Sequence, residues 1–342
     1  MQYDFASDNV APMAPEALDA VIRANGGSVP AYGRDPVTQS GQARVRELLG
    51  APDAVVRFVF SGTAANSLAL SLIAQPFEAV LSHHEAHIRT DETGAPGLFT
   101  HGTGLIGLNG SSAKVDPEAF INALNVPEMA HRQPAVALSL SQSTEYGAVY
   151  SEDEMSALIA PAKARGLRVH VDGARLANAV AAGFDPRALA RLGVDVLVLG
   201  GAKAGAGCVE ALVVFDPALA RRLDNRLKQA GQMASKGRFL AASLVGLLES
   251  GGWVRHAAHA NAMAQTLAAG IQARTPYRLT HPVMSNTVFV DMPEADLVAL
   301  NARGWAVYRF DDGSVRFVTH WATEPHRIEA LLADLATLHP VG

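Results

Sequence analysis

The sequence predicts an α/β protein with a mostly parallel central sheet, helices on both faces, and a smaller C-terminal α+β domain. Short apolar runs alternate with alanine-rich helical stretches through the first two thirds of the 342 residues, and the pattern then changes near Gly237. Fully buried parallel strands read as near-continuous apolar runs, and their alternation with helices is the signature of crossover connections.

Strands are predicted at 55–60, 79–82, 135–140, 167–171, 194–199 and 211–215, each apolar and bounded by turn residues or polar stretches. The glycine-rich stretch 94–110 has little periodicity and reads either as a cover for a cleft or as a plain crossover. Beyond it, helices are predicted over 238–248 and 253–271, strands over 287–292, 305–310 and 315–319, and a closing helix over 324–338. Thr323 and Pro325 suit the start of that last helix. The resulting division is an N-terminal arm at 1–20, a large domain at 21–246 and a small domain at 247–342.

Hydrophobic residues make up 49% of the chain and charged residues 18%, which suits a large core and about two domains. The net charge of −5, with no basic run, argues against general nucleic-acid binding. Cys208 is the only cysteine, so no internal disulfide and no thiol metal cluster is expected. The first residues have no signal-peptide character, and no apolar run reaches the length that spans a bilayer. A cytoplasmic protein with no membrane partner is expected.

Three strand ends carry chemistry. Val196-Leu197-Val198-Leu199-Gly200-Gly201-Ala202-Lys203 places a lysine after an apolar strand among residues too small to cover it. Val169-His170-Val171-Asp172-Gly173-Ala174-Arg175 ends another strand on an acid. Phe58-Val59-Phe60-Ser61-Gly62-Thr63 leads from a strand into a strongly helical run, so free N–H groups, the helix dipole and the Ser61 and Thr63 hydroxyls would face an anion, with Gly62 letting the backbone come close. An amine for an aldehyde, an acid for a ring nitrogen and an anion site for a phosphate are the needs of pyridoxal 5'-phosphate. Each alone has a plain alternative: a solvated strand end, an Asp-Gly turn, an ordinary N-cap. Their order along the chain is what points to the cofactor.

With those motifs the chain resembles the low-specificity L-threonine aldolases and their phenylserine aldolase relatives, which share fold type I of the pyridoxal phosphate enzymes, the aspartate aminotransferase fold. The resemblance runs over nearly the full length. It includes Phe5-Ala6-Ser7-Asp8-Asn9, Ala31-Tyr32-Gly33-Arg34-Asp35, His87 with Glu92-Thr93-Gly94-Ala95-Pro96, Gln142-Ser143-Thr144-Glu145-Tyr146-Gly147, Gly231-Gln232-Met233-Ala234-Ser235-Lys236 and Val315-Arg316-Phe317-Val318-Thr319-His320-Trp321.

The resemblance implies cleavage of L-threonine, L-allo-threonine or another β-hydroxy-α-amino acid such as phenylserine to glycine and an aldehyde, reversibly. Lys203 would hold the cofactor, Asp172 its ring nitrogen, and Ser61, Gly62 and Thr63 its phosphate. His87 would stack on the ring. By composition alone His83, His84 and His87 read equally as solvated or metal-binding; the resemblance selects His87, because Glu92 follows five positions later, and it implies no metal. Ser7, Arg175 and Arg316 would clamp the substrate carboxylate, Arg175 instead or also touching the cofactor, and Tyr32 would reach in from a neighbouring subunit of a homodimer or homotetramer. Read alone, Arg316 is an exposed position on an alternating strand. The base for the β-hydroxyl is left among His87, Glu145 and a water between them, with His87 preferred.

Two departures stand out. Ala202 and Ala204 replace a hydroxyl residue and an asparagine common beside the lysine, removing a phosphate donor, and Arg34 replaces a common acid. They keep open a weakly active cofactor-binding relative beside the aldolase, and another carbanion reaction on the same scaffold (transaldol transfer, racemisation, β-elimination) also remains.

Overall fold

The computed structural model describes residues 2–338; Met1 of the expected arm and residues 339–342 of the expected small domain lie outside the described residues. Its large sheet contains β1 (Val55–Val59), β2 (Ala79–His83), β3 (Gly104–Leu108), β4 (Ala135–Ser141), β5 (Arg168–Gly173), β6 (Val196–Gly200) and β7 (Glu210–Val214). The order is β1-β7-β6-β5-β4-β2-β3. β7 runs antiparallel to both its neighbours, so β1, β5 and β6 point the same way and end at one edge.

Every residue of β6 and β7 is buried, and the period-two geometry of a strand divides them between two cores. Leu197, Leu199, Ala211 and Val213 face one core with Trp253 and the Gly237–Glu249 helix. Val196, Val198, Leu212 and Val214 face the other with Leu68 and Ala69 of the Gly62–Ile73 helix. The predicted strands therefore form where both faces are covered.

The stretch 94–110 differs from both sequence readings. It folds as a short Ala95–Phe99 helix and then β3, the edge strand beside β2. Gly104-Leu105-Ile106-Gly107-Leu108 lacks the buried apolar pattern because it is covered on one side only, and Ile106 and Gly107 are exposed.

The second sheet is antiparallel: β8 (Arg278–Leu279), β9 (Thr287–Asp291), β10 (Tyr308–Arg309) and β11 (Val315–Val318) in the order β10-β11-β9-β8. It packs on the Gly252–Arg274 and Pro325–Leu338 helices through a core of its own. The strand predicted over 305–310 shrinks to β10, because Trp305 and Ala306 pair with Gln2 of the arm instead. Phe5 continues that seam, its carbonyl accepting from Val318 N–H, and the arm is pinned again where Arg327 grips Asp4. Among the described residues no helix is long and apolar enough to cross a membrane.

Candidate active site

The common edge of β1, β5 and β6 opens into a cavity of about 340 Å³. Ser61, Gly62, Thr63, His87, Glu145, Asp172, Arg175 and Lys203 all line it. The close approach of β5 and β6 depends on glycine: a Cβ on Gly200 would run into the Ala174 carbonyl. A larger cavity of about 690 Å³ lies near the starts of β4 and β5, walled by Leu81, Ile106, Val126 and Met129, but it lacks a comparable set of acids, bases and nucleophiles.

Asp172 is held for a cation. Its Oδ1 accepts from Ala174 N–H at 2.9 Å and its Oδ2 from the Asn66 amide at 2.8 Å. Burial alone would raise its pKa, but the His87 ring, these donors and His170 outweigh it and hold the carboxyl below its ordinary value. An ionised carboxylate at that place suits a protonated ring nitrogen. Asn66 sits on the helix that begins at Gly62, so one helix carries both the anion-facing end and the group orienting Asp172.

The same Asn66 amide reaches Glu92 Oε1 at 2.8 Å, and that oxygen also takes His87 Nδ1 at 2.9 Å. His87, Glu92 and Asp172 each offer a ligand atom within 4.8 Å of one another. The Asn66 amide and the imidazole both bind Glu92 Oε1, while Glu92 Oε2 is buried without a partner among the described residues. Burial lowers the pKa of His87, while the Glu92 bond and the Asp172 charge raise it more, leaving the ring above its ordinary value. Its backbone N–H donates to Glu145 Oε1 at 3.0 Å, which also accepts from Ser141 Oγ at 2.6 Å. Glu145 Oε2 is buried without a partner among the described residues, and burial pushes the carboxyl upward.

Lys203 lies in the short connection between β6 and β7. Burial and the nearby Arg175 lower its pKa despite the opposing charges of Asp8, Asp172 and Glu210. A neutral amine, the nucleophilic form, is thereby favoured.

Ser7, Tyr32 and Arg316 do not line this cavity. Ser7 caps the turn that presents Asp8, and Asp8 holds Arg175 with a two-bond grip, Nε to Oδ2 at 2.7 Å and Nη2 to Oδ1 at 2.9 Å. Arg175 is thus already paired. Arg316 is not exposed, as an alternating strand alone would suggest. Its guanidinium lies 4.9 Å from the Tyr308 ring and 4.8 Å from the Phe310 ring, its Nε is buried with no acceptor among the described residues, and burial with the Arg175 charge pulls its pKa down to about 10. Tyr32 is exposed, under Lys228 Nζ, and lines a separate cleft with Arg34 and Gln232.

Sequence reasoning gave no role to Asp8, Asn66, Glu92 or Glu210. Glu210 was legible as the single acid in Val209-Glu210-Ala211-Leu212-Val213-Val214. Asp8 and Asn66 act through partners far along the chain, and Glu92 through His87 five positions before it and through Asn66.

The residues fit pyridoxal 5'-phosphate. The space above Gly62 is open, with no atom within 4 Å of where a Cβ would stand, at a helix start whose first N–H groups have no carbonyl behind them. Asp172 keeps its charge, and Lys203 has neither an ion pair nor a hydrogen bond to its amine among the described residues. A model of the beta-eliminating lyases matches residues 4–295. The chain belongs to that family. A low specificity L-threonine aldolase from a Pseudomonas species is 43% identical over 335 residues, covering 97% of this chain and 96% of that one, and the Pseudomonas aeruginosa counterpart is 42% identical over the same share. The solved threonine aldolase of Leishmania major superposes with a TM-score of 0.92 at 31% identity, covering 98% of this chain and 99% of that one. Aspartate aminotransferase from Thermus thermophilus, at 18% identity and a TM-score of 0.72 over 96% of this chain and 89% of that one, shares the fold. These likenesses make this beta-eliminating lyase a pyridoxal phosphate enzyme of fold type I.

Proposed function

We propose that this lyase is a cytoplasmic, homo-oligomeric aldolase that cleaves L-threonine, L-allo-threonine and related β-hydroxy-α-amino acids, phenylserine among them, to glycine and an aldehyde, reversibly. The observation that carries the reading is the unpaired Lys203 amine in one cavity with ionised Asp172 and the open helix start at Gly62. Bound there, the cofactor supplies an electron sink for the pair of electrons released when the Cα–Cβ bond breaks.

Lys203 offers its amine to the cofactor aldehyde. Asp172 keeps a proton on the ring nitrogen through its charge, and Asn66 and Ala174 keep its carboxylate aimed. Arg316, which has no carboxylate partner among the described residues, takes the substrate carboxylate with Ser7, because Arg175 is neutralised by Asp8. Fixing the carboxylate fixes rotation about the Cα bonds, and so selects which bond breaks.

With Nδ1 on Glu92, His87 has Nε2 left to accept the β-hydroxyl proton. Glu145 holds the His87 backbone in place. Tyr32 contributes across an interface between two copies of the chain, as its exposed ring allows.

Cofactor-loaded protein should release glycine and aldehyde in equal amounts from L-threonine, L-allo-threonine or phenylserine. Loaded protein inert toward all three rejects the aldolase reading. Borohydride trapping and peptide mapping should mark Lys203, and a mark on another residue rejects the cofactor attachment.

A further inference from the structure

We propose that Glu210 is a hydrogen-bond donor to the cofactor phosphate, standing in for the hydroxyl that Ala202 does not provide. The inference rests on the cofactor assignment above and deepens it. Glu210 opens β7, paired on one side with Val59 of β1 and on the other with Gly200 of β6. It therefore sits between the strand that runs into Ser61-Gly62-Thr63 and the turn that carries Lys203. Its side chain lines the same cavity and is only 6% exposed as a residue.

The carboxyl is anchored on one side. Oε2 accepts from Gly201 N–H at 2.7 Å, and the group also leans on the Ala202 backbone. The groups that face it are few. The charges acting on it are Lys203 from the turn and Asp172 from β5, β1 pairs it with Val59, and Phe60, Ser61, Thr63 and Cys208 line the cavity that it lines.

Burial, reinforced by the Asp172 charge, drives the Glu210 pKa up to about 7 against the pull of Gly201 N–H and Lys203. A phosphate dianion beside it favours the protonated form further, because two anions at close range cannot both stay charged. A protonated carboxyl is a donor and an ionised one is acceptor only. The sign follows: phosphate is welcomed below the transition and opposed above it.

The test compares wild type, E210Q and E210A for binding of pyridoxal 5'-phosphate and of pyridoxal, by equilibrium dialysis across neutral pH. Taking the ratio of the two affinities removes the contribution of Lys203, which both aldehydes need. Ionisation of the phosphate in solution is common to all three proteins and cancels between them. Gln keeps the acceptor for Gly201 N–H and adds a permanent donor, so E210Q tests the charge with the turn intact.

One linked proton changes binding by about tenfold per pH unit, so the wild-type preference for the phosphorylated aldehyde should fall relative to E210Q by about tenfold per unit above pH ~7. E210A should bind pyridoxal phosphate more weakly than wild type on the acid side while holding pyridoxal equally. Parallel pH profiles for wild type and E210Q, or an E210A that matches wild type at every pH, overturn the inference. A wild-type protein that binds neither aldehyde overturns the cofactor assignment, and is thereby distinguished from failure of the Glu210 role alone.

Discussion

Replacing Arg316 with methionine separates what this residue costs the fold from what it gives the reaction. Burial and the Arg175 charge pull the guanidinium pKa down to about 10, and a fall of that size corresponds to a penalty of about 3 kcal/mol for carrying the charge at neutral pH. The cation lies over Tyr308 and Phe310, contacts that return about 0.5–1 kcal/mol each. Methionine is unbranched and keeps apolar contact with both rings. The ligand-free variant should therefore be as stable as wild type or more so, by about 1 kcal/mol, read as a higher urea midpoint at unchanged slope. On the proposed role, the same change removes the charge-assisted bonds to the substrate carboxylate. At about 2–4 kcal/mol for that grip, kcat/KM for L-threonine should fall by roughly 30- to 1,000-fold. A variant destabilised by more than about 2 kcal/mol would show that Arg316 is a structural cation after all, and one with unchanged kcat/KM would remove it from the carboxylate clamp.

Asp8→Ala should destabilise the protein by about 3–5 kcal/mol, since it leaves buried Arg175 without a counter-charge and takes one of the two acceptors of the Asn286 amide. Arg175 and Lys203 hold the Asp8 carboxyl well below the usual range despite burial, so its contribution is complete above the unfolded carboxylate pKa near ~4 and is lost as pH falls through the folded value; urea unfolding of wild type and variant should converge only in acid. Glu92→Gln keeps the oxygen that accepts from His87 and Asn66 but removes the charge that raises the ring pKa. Because the base must be unprotonated, the acid limb of the kcat/KM profile should move to lower pH, and an unmoved limb would exclude His87 as the base. Asp172→Asn should lower kcat by roughly 10²-fold or more through loss of a fixed charge at the ring nitrogen, measured as glycine release at saturating cofactor.

The runs that became β6 and the Ala211–Val214 part of β7 were legible because both faces of each strand are covered, so side chains of either parity must be apolar. Lys203, Asp172 and Ser61 were legible because each breaks such a run at its end. β3 was not, because an edge strand covered on one side needs no continuous apolar run and Gly104 and Gly107 disguise it. The strand predicted from Trp305 was cut short by pairing with Gln2, a partner some three hundred positions away that no local pattern contains. The same distance hid Asp8 and Asn66, whose importance comes from bonds to Arg175 and Asp172 formed only by the fold. For Arg316 local reading was misleading, since alternation suggested exposure and the aromatic rings of the small domain cover it.

The charges around the cavity are paired unevenly, and the unevenness carries the functional logic. Arg175 is matched by Asp8 and His87 by Glu92, each at hydrogen-bond distance. Asp172 is held by amide donors with the His87 and His170 rings nearby, and Arg316 has no carboxylate at all among the described residues. Burying a charge without a counter-charge lowers stability, and Arg316, whose pKa burial and the Arg175 charge pull down to about 10, carries that cost in the ligand-free protein. On the proposed function, a cationic ring nitrogen matches Asp172 and an amino-acid carboxylate matches Arg316. On that proposal the pairs already closed inside the protein hold and orient, and Asp172 and Arg316 are the groups whose partners arrive with the cofactor and the substrate.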